Sequence, residues 1–185
     1  MTIVSGKKKS RGFYIKKILY YTITFKTIKY LLKLYGYYTI HFLHGQSSAK
    51  IGRGTQIHPT VIIRSPQNVV IGKNCFFNHN TIINGGKEHA KLIIGDNVQT
   101  GPNVAIYAYN HAFENRGKPI NEQGYIDKDV LIGNDVWIGA NTVILPGTTI
   151  GNGVVIGAGS IVSKSLPEYS ICAGIPAKVI KFREE

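Results

Sequence analysis

Two kinds of residue are scarce in this sequence. Only two of its 185 residues are cysteines, Cys75 and Cys172, and they form no C-x-x-C pair. A disulfide framework is therefore excluded, and we expect both to be small, semi-buried residues in a reducing cytoplasm. Acidic residues are absent from the first 87 residues, and Glu88 is the first acid in the chain.

Long uncharged apolar runs are also missing. Lysines interrupt the apolar stretches near the N-terminus, and the least charged run, residues 34–49, contains glycine, histidine and other polar residues. This segment is too short and too polar for a membrane span, and it does not have the pattern of a secretory signal. Hydrophobic residues make up 43% of the chain and charged residues 17%, which indicates a folded protein. We expect it to be cytoplasmic.

Basic residues are concentrated at the N-terminus, where residues 1–50 carry ten of the 22 lysines and arginines. Apolar residues recur there at spacings of three and four, which predicts a helix with one apolar face. Those residues are Ile18, Tyr21, Phe25, Ile28, Leu32 and Tyr35. Lys26, Lys29 and Lys33 form a basic stripe on another face. Two interpretations stay open: residues 7–44 contact an anionic membrane surface, or the helix caps the domain that follows. No motif for nucleic-acid recognition accompanies the charge.

A repeat of six residues organises the chain from residue 51 onward. The 21 glycines lack the every-third spacing of collagen, but an aliphatic residue followed by glycine recurs at every sixth position. The clearest run is Ile132-Gly133, Ile138-Gly139, Ile144-Leu145, Ile150-Gly151, Ile156-Gly157 and Val162-Ser163. Each hexad is typical of one short strand and a turn. Stacked hexads predict a mainly β protein, a parallel β-helix whose aliphatic side chains form a continuous core.

The period also predicts the domain organisation. We expect a basic amphipathic helical segment over residues 1–48, the β-helix over 49–172, and a cap over 173–185 with a short helix from Ala177 to Glu184. With three hexads to a coil, about five coils stack. Two insertions break the period: Ile83 to Leu92, and a longer polar loop at 110–129. Because loops extruded from a rigid scaffold often carry functional residues, the second insertion is the better candidate for a site.

Motifs in the second half of the chain are more specific than the period. They are Gly101-Pro102-Asn103-Val104, Tyr109-Asn110-His111, Val136-Trp137-Ile138-Gly139-Ala140, Ile144-Leu145-Pro146-Gly147, Ile156-Gly157-Ala158-Gly159-Ser160 and Gly174-Ile175-Pro176-Ala177-Lys178-Val179-Ile180. In them, residues 94–182 resemble the hexapeptide-repeat acetyltransferases, particularly the polysaccharide O-acetyltransferases of capsule and lipopolysaccharide assembly and the maltose and galactoside acetyltransferase group. The resemblance implies a left-handed β-helix, acetyl-CoA as co-substrate without a metal, and a homotrimer with active sites between subunits.

His111 matches the catalytic histidine of that family. Acyl transfer from a thioester to a sugar hydroxyl needs a base, and imidazole is the side chain suited to this task near neutral pH. The resemblance implies that His111 takes the proton of the acceptor hydroxyl while the hydroxyl attacks the thioester directly. A backbone N–H group is then expected to hold the oxyanion.

The resemblance also implies a set of cofactor-binding residues. They are Gly101, Trp137, Gly139, Ala140, Ala158, Ser163, Lys164, Lys178 and Lys181. Small residues permit close approach of the pantetheine arm, and the lysines match basic residues near the adenine and its phosphates. The family often has arginine at the last two positions, and lysine retains the charge without the bidentate fork. A packing role for Trp137 and solvated roles for the lysines are the alternatives.

Two residues are candidates for the acceptor site. Asn78 matches an asparagine that contacts the acceptor in the family, and its amide offers both a donor and an acceptor. Glu88, beside His89 in the first insertion, is the second candidate. The alternative for Asn78 is a turn residue within a coil. His79 competes with His111 as the functional histidine, whereas the remaining histidines are expected to be structural or solvated.

Other functions stay open at this point. A xenobiotic-type acetyltransferase is the nearest alternative to an enzyme of surface-polysaccharide biosynthesis. A hexapeptide-type carbonic anhydrase would need three zinc-binding histidines, and the paired histidines expected just after His111 are missing. The third alternative is a non-catalytic solenoid that serves as an assembly scaffold.

Overall fold

The computed structural model describes residues 9–22 and 24–184. They divide into two compact units, with the boundary between Ile40 and His41. The parts of the predictions that involve Lys7, Lys8, Ile23 and Glu185 lie outside the described residues.

The first unit is helical, as the sequence predicts, but its helix is interrupted. Helix α1 spans Arg11–Thr22 and helix α2 spans Phe25–Tyr38. Between them Thr24 is extended, with φ −79° and ψ 148°, and its hydroxyl accepts the N–H of Thr27 as the cap of α2. The β-branched run Thr22-Ile23-Thr24 has low helix propensity, which favours a break here. The predicted single apolar face from Ile18 to Tyr35 is therefore wrong, because it is divided between two helices.

The side chains of both helices are solvent-exposed, and neither helix has a buried residue. Within the described residues, no helix combines the length and apolar character needed to cross a membrane. A π-helical turn, Thr39–His44, and the short helix α3, Gly45–Ser48, lead into the second unit. Gly45 is buried against the backbone of Ile63, and the Gln46 amide donates to the carbonyl of Val61 at 3.1 Å.

The second unit is a three-sided parallel β-helix. Side 1 consists of β1 (Lys50–Ile51), β4 (Val69–Ile71), β7 (Leu92–Ile94), β12 (Val130–Ile132) and β15 (Thr149–Ile150). Side 2 consists of β2 (Gln56–Ile57), β5 (Phe76–Phe77), β8 (Gln99–Thr100), β13 (Trp137–Ile138), β16 (Val155–Ile156), β18 (Ser170–Gly174) and β19 (Ala177–Phe182). Side 3 consists of β3 (Ile62–Arg64), β6 (Ile82–Asn84), β9 (Ala105–Tyr107), β14 (Val143–Ile144) and β17 (Ile161–Val162).

The predicted coils are confirmed. Five coils are complete, each with one strand on every side, and β18 continues into a sixth. In-register pairing places the same hexad position of each coil above the last, as in Ile94, Ile132 and Ile150. These aliphatic side chains are almost fully buried in one core, and burying each contributes roughly 1.5–3 kcal/mol. The architecture is consistent with the left-handed β-helix that the resemblance implies.

Asparagines stabilise the corner between sides 2 and 3. Asn80, Asn103 and Asn141 occupy the left-handed backbone region there, with φ near +59° in all three. Their amides form a ladder from coil to coil, in which Asn80 donates to Asn103 at 3.2 Å and Asn103 donates to Asn141 at 3.1 Å. Short polar side chains tolerate this conformation, so these three positions do not need glycine.

Three local predictions need correction. Ile83 and Leu92, the predicted ends of the first insertion, are buried strand residues of the core. The second insertion is not only a loop, because β10 (Tyr109–His111) and β11 (Tyr125–Asp127) pair as an antiparallel hairpin. The predicted helix from Ala177 to Glu184 is wrong as well. Residues 177–182 form β19, which pairs antiparallel with β18 and gives that strand a hydrogen-bonding partner.

The two cysteines are free and fully buried. Burial raises the pKa of the Cys75 thiol, which disfavours the reactive thiolate form. This environment agrees with the packing role expected from the sequence.

Candidate active site

Both insertions leave the β-helix at the corner between sides 3 and 1, on consecutive coils. The first connects β6 to β7, and the second connects β9 to β12. Because stacked coils place their corners above one another, the insertions emerge side by side. The hairpin of the second insertion pairs Tyr109 with Asp127 and His111 with Tyr125.

His111 lies on β10 with its side chain exposed. Its ring is 4.8 Å from the centre of the Tyr125 ring and 6.5 Å from that of Tyr109. Its backbone N–H donates to the side-chain oxygen of Asn110 at 2.9 Å. The imidazole is thus supported by aromatic neighbours on the hairpin, and it remains accessible to a substrate.

Asp127 joins the two insertions. Its carboxylate accepts the backbone N–H groups of four consecutive residues of the first insertion, Lys87, Glu88, His89 and Ala90, at 2.8–3.3 Å. Partial burial by itself raises the pKa of Asp127. The hydrogen bonds from Glu88, His89, Lys87 and Ala90 outweigh that effect and lower the pKa to about 2. Asp127 is therefore ionised throughout the neutral range and organises the first insertion.

Lys87 completes the contact between the insertions. Its ammonium lies 4.1 Å from the centre of the Tyr125 ring and 4.6 Å from that of Tyr109, within the range of a cation–π interaction. The Nε2 atom of His89 lies 3.5 Å from a carboxylate oxygen of Glu88, and both side chains are exposed. Together with Tyr125 and Asp127, these three side chains line an open cavity of about 460 Å³. Glu88, predicted from the sequence, thus lies beside an aromatic residue that also contacts His111.

The small residues predicted to bind the cofactor lie at another corner, between sides 2 and 3. A Cβ atom on Gly101 would meet the backbone nitrogen of Ala140 at 2.5 Å, and one on Gly139 would meet that of Ala158 at 2.5 Å. Only glycine permits such close stacking of successive coils. Gly101, Gly139, Ala140 and Ala158 therefore form one column without large side chains.

Asn78 belongs to the same corner, on an earlier coil. Its N–H donates to the Thr100 hydroxyl at 3.1 Å, while its side-chain oxygen accepts from the N–H of His79 and contacts the Nδ1 of that ring at 2.8 Å. The His79 ring also contacts His58, at 5.8 Å between centres. Asn78 is therefore already engaged by its neighbour.

The remaining predicted cofactor residues are dispersed over the surface. Trp137 points outward from side 2 and is 57% exposed. Ser163 and Lys164 follow β17 at the corner between sides 3 and 1, and both are exposed. Lys178 and Lys181 are exposed on β19.

The structure brings some of the predicted residues together and separates others. Gly101, Gly139, Ala140 and Ala158 share one corner with Asn78, whereas His111 and Glu88 lie at the corner at the other edge of side 3. No hydrogen bond, ion pair or ring contact among the described residues joins His111 to Asn78. The described residues also contain no group of three histidine, cysteine or acidic side chains arranged to hold a metal ion.

Sequence reasoning missed Asp127, Lys87 and Tyr125. A signal existed for the hairpin, since β-prone residues stand at both ends of the second insertion, in Tyr109-Asn110-His111 and Tyr125-Ile126-Asp127. The contacts of Asp127 could not be found in this way, because its partners lie 37–40 residues earlier in the chain.

Comparison with known proteins defines the class. Residues 129–164 match the family described as bacterial transferase hexapeptide (six repeats). Galactoside O-acetyltransferase of Escherichia coli K12 is 38% identical over 133 residues, which cover 72% of this chain and 63% of the relative. The chain thus spans somewhat less than two thirds of that relative's length.

Solved structures agree with this result. A maltose O-acetyltransferase of Clostridium difficile 630 is 38% identical with a TM-score of 0.61, and the match covers 74% of this chain and 68% of the other. A hexapeptide-repeat acetyltransferase of Vibrio cholerae O1 biovar eltor, complexed with acetyl-CoA, is 28% identical with a TM-score of 0.66, covering 78% of this chain and 76% of that one. The chain belongs to the hexapeptide-repeat transferase family.

Proposed function

We propose that this protein is an acetyl-CoA-dependent O-acetyltransferase that modifies a sugar hydroxyl during surface-polysaccharide biosynthesis. The observation that carries the proposal is the exposed imidazole of His111. It lies beside the rings of Tyr109 and Tyr125 at the corner where two insertions leave a hexapeptide β-helix. Relatives and structural neighbours are named as galactoside and maltose O-acetyltransferases.

In the proposed mechanism His111 acts as general base. Its imidazole accepts the proton of the attacking hydroxyl, and the hydroxyl oxygen forms a bond to the thioester carbonyl carbon of acetyl-CoA. The carbon–sulfur bond then breaks, and the proton goes to the departing thiolate. The products are an O-acetyl ester and free coenzyme A, with no acyl group on the protein. A backbone N–H group holds the oxyanion in the transition state.

The column of small residues supports a pantetheine site. Gly101, Gly139, Ala140 and Ala158 place no large side chain along one corner, and the exposed indole of Trp137 lies on the adjoining side. We propose that Ser163 and Lys164, at the corner between sides 3 and 1, and Lys178 and Lys181, on β19, contact the adenine and phosphates from different subunits. The ammonium groups of the three lysines form no ion pair among the described residues. Acetyl-CoA supplies the activated acetyl group in this arrangement.

The separation of the two corners supports a homotrimer. His111 lies at one edge of side 3, whereas Asn78 and the small-residue column lie at the other edge. In a trimer, the corner between sides 2 and 3 of a neighbouring copy would face the corner between sides 3 and 1 of this chain. That arrangement would bring the base, the acceptor contact and acetyl-CoA into one cleft. In this arrangement Asn78 and Glu88 contact the acceptor from different subunits.

The composition of the basic helical unit supports association of the protein with the inner face of a membrane. Large apolar side chains of α2 are widely exposed, including Phe25 at 80% and Tyr35 at 70%. Lys26, Lys29 and Lys33 lie on the same helix, and no acidic residue precedes Glu88. A surface of this composition is complementary to anionic lipid headgroups. It would hold a cytoplasmic enzyme where lipid-linked glycan acceptors are presented.

An acetyl-transfer assay tests the enzymatic proposal. The full chain is incubated with acetyl-CoA and a panel that includes methyl galactoside, maltose and polysaccharide fragments, and free thiol is measured together with the mass of each glycan. Thiol release that depends on a glycan, with a mass gain of one acetyl group, supports the proposal. Glycan-independent thiol release, or none, contradicts it. Acetylation of small xenobiotics with no glycan product would favour the xenobiotic alternative.

A further inference from the structure

One carboxylate holds the first insertion in place. Among the described residues, Asp127 alone accepts N–H groups from four consecutive residues, all of which belong to the other insertion. Gly86, which precedes them, is buried, and a Cβ atom there would lie 3.1 Å from an oxygen of Asp127. The carboxylate is therefore bound on one side by the backbone of this loop, and it also lines the open cavity.

We infer that Asp127 is a positioning residue, which locks the first insertion onto the His111 hairpin and so fixes the acceptor-facing wall of the active site. This inference rests on the proposed function, because that function makes the adjoining cavity an acceptor pocket. Asp127 itself does not touch the reacting atoms.

The contacts of Lys87 connect this lock to His111. The backbone N–H of Lys87 is bound to Asp127 at 2.9 Å, and its ammonium lies on the rings of Tyr109 and Tyr125. Tyr125 in turn contacts the imidazole of His111. Release of the loop from Asp127 would free Lys87 from both rings and remove one of the contacts that hold the Tyr125 ring. The base would then be held less well against the acceptor hydroxyl.

The same lock orients the lining of the cavity. Glu88 and His89 project from residues whose N–H groups are bound to Asp127, at 2.8 and 2.9 Å, and both side chains line the cavity with Tyr125. None of the side chains that this loop presents, Lys87, Glu88 and His89, is among the predicted cofactor residues. Loss of Asp127 should therefore change the KM for the sugar more than the KM for acetyl-CoA.

Three variants test the inference. Asp127→Ala removes the acceptor of four hydrogen bonds, and Asp127→Asn keeps its shape and one oxygen. The matched control is Asp129→Ala, since among the described residues the Asp129 carboxylate accepts a single N–H group, that of Lys91 at 2.8 Å, at the end of the same insertion. Steady-state kinetics are measured with methyl galactoside or maltose, whichever the wild type acetylates faster. Amide hydrogen exchange is measured on the free protein.

Asp127→Ala should raise the KM for the sugar at least tenfold and lower kcat, while the KM for acetyl-CoA stays within twofold. Amides 87–90 should exchange at least tenfold faster, and those of the coils should not change. For Asp127→Asn, the KM for the sugar and the exchange rates of amides 87–90 should lie between those of the wild type and Asp127→Ala. Asp129→Ala should have the KM values and exchange rates of the wild type. Equal sugar KM values in Asp127→Ala and Asp129→Ala, or unchanged exchange of amides 87–90, would overturn the inference. If no glycan is acetylated by the wild type, the proposed function fails, and unchanged exchange still identifies a failure of the lock itself.

Discussion

The imidazole of His111 lies 4.8 Å from the phenol ring of Tyr125, its cross-strand partner in the hairpin, at an interplanar angle of 51°. Tyr125, which thus contacts the proposed base, lies in the second insertion, where the six-residue repeat gives no indication of a functional residue. Lys87 covers another part of the Tyr125 ring, so one aromatic side chain is in contact with both insertions. We therefore expect Tyr125 to help orient His111.

Two replacements of Tyr125 should show whether its ring or its hydroxyl group supports His111. We expect Tyr125→Leu to lower kcat/KM for the sugar roughly tenfold, because aromatic pairs contribute about 0.5–1.5 kcal/mol beyond their buried area. Tyr125→Phe keeps the ring and should remain within about threefold of wild type. Initial-rate kinetics with both substrates provide the measurement. A loss in Tyr125→Phe as large as that in Tyr125→Leu would show that the hydroxyl, not the ring, supports His111.

Acid titration should reveal the environment of Asp127. Its pKa in the folded protein is lowered to about 2 from an ordinary value of 3.8. A lowered pKa means that the carboxylate stabilises the fold above pH 3.8, and this contribution disappears as the pH falls from there through about 2. The carboxyl carbon resonance of Asp127, followed by NMR from pH 6 to the acid limit of folding, should show no titration above pH 3. A midpoint at or above 3.8 would mean that the four N–H groups do not bind the ionised carboxylate in solution.

Replacement of Trp137 should change the KM for acetyl-CoA and leave the KM for the sugar unchanged. If its exposed indole packs on the pantetheine arm, Trp137→Ala should raise the KM for acetyl-CoA by roughly tenfold, which corresponds to about 1.4 kcal/mol of lost contact. Phe113→Ala is the matched control, since Phe113 is also 57% exposed. Both variants should keep the melting temperature of the wild type. An unchanged KM for acetyl-CoA in Trp137→Ala, together with loss of the oligomer in sedimentation, would assign Trp137 to subunit packing.

The basic helical unit should bind anionic vesicles. We expect the full chain to sediment with vesicles that contain phosphatidylserine and not with pure phosphatidylcholine, and the binding should weaken as salt is raised. Replacing Lys26, Lys29 and Lys33 by glutamine should reduce binding, because each basic residue near such a surface contributes about 1 kcal/mol. Glutamine at Lys118, Lys164 and Lys178 gives a control with the same change in charge. Equal binding of both triple variants would contradict a specific role for α2.

The sequence predicted the scaffold well because every coil repeats the same physical requirement. An inward aliphatic such as Ile138 must lie on the aliphatic of the next coil, Ile156, and this requirement imposes a visible period of six. The C-terminal segment was misjudged because Ala177 begins a strand that pairs antiparallel with β18, and the period of six indicates only parallel neighbours. Pairing with that strand outweighed the helical tendency assumed for a cap.

The candidate site was predictable only in part. The motif predicts His111 as the base, whereas the contact between His111 and Tyr125 depends on a hairpin within the insertion. The hydrogen bonds of Asp127 depend on two insertions that emerge at one corner from consecutive coils. Such a relationship becomes visible only when the coils are stacked, since each insertion alone is an ordinary polar segment.

The most direct test of the account compares two histidine variants in the acetyl-transfer assay. His111→Ala removes the proposed base, and the control His44→Ala changes an exposed helical histidine hydrogen-bonded to Ser48. Loss of a general base typically reduces the rate by about 10²–10⁴-fold. We expect a loss of this size in glycan-dependent thiol release for His111→Ala, with an unchanged melting temperature, and wild-type rates for His44→Ala. Turnover of His111→Ala within about threefold of wild type would contradict it.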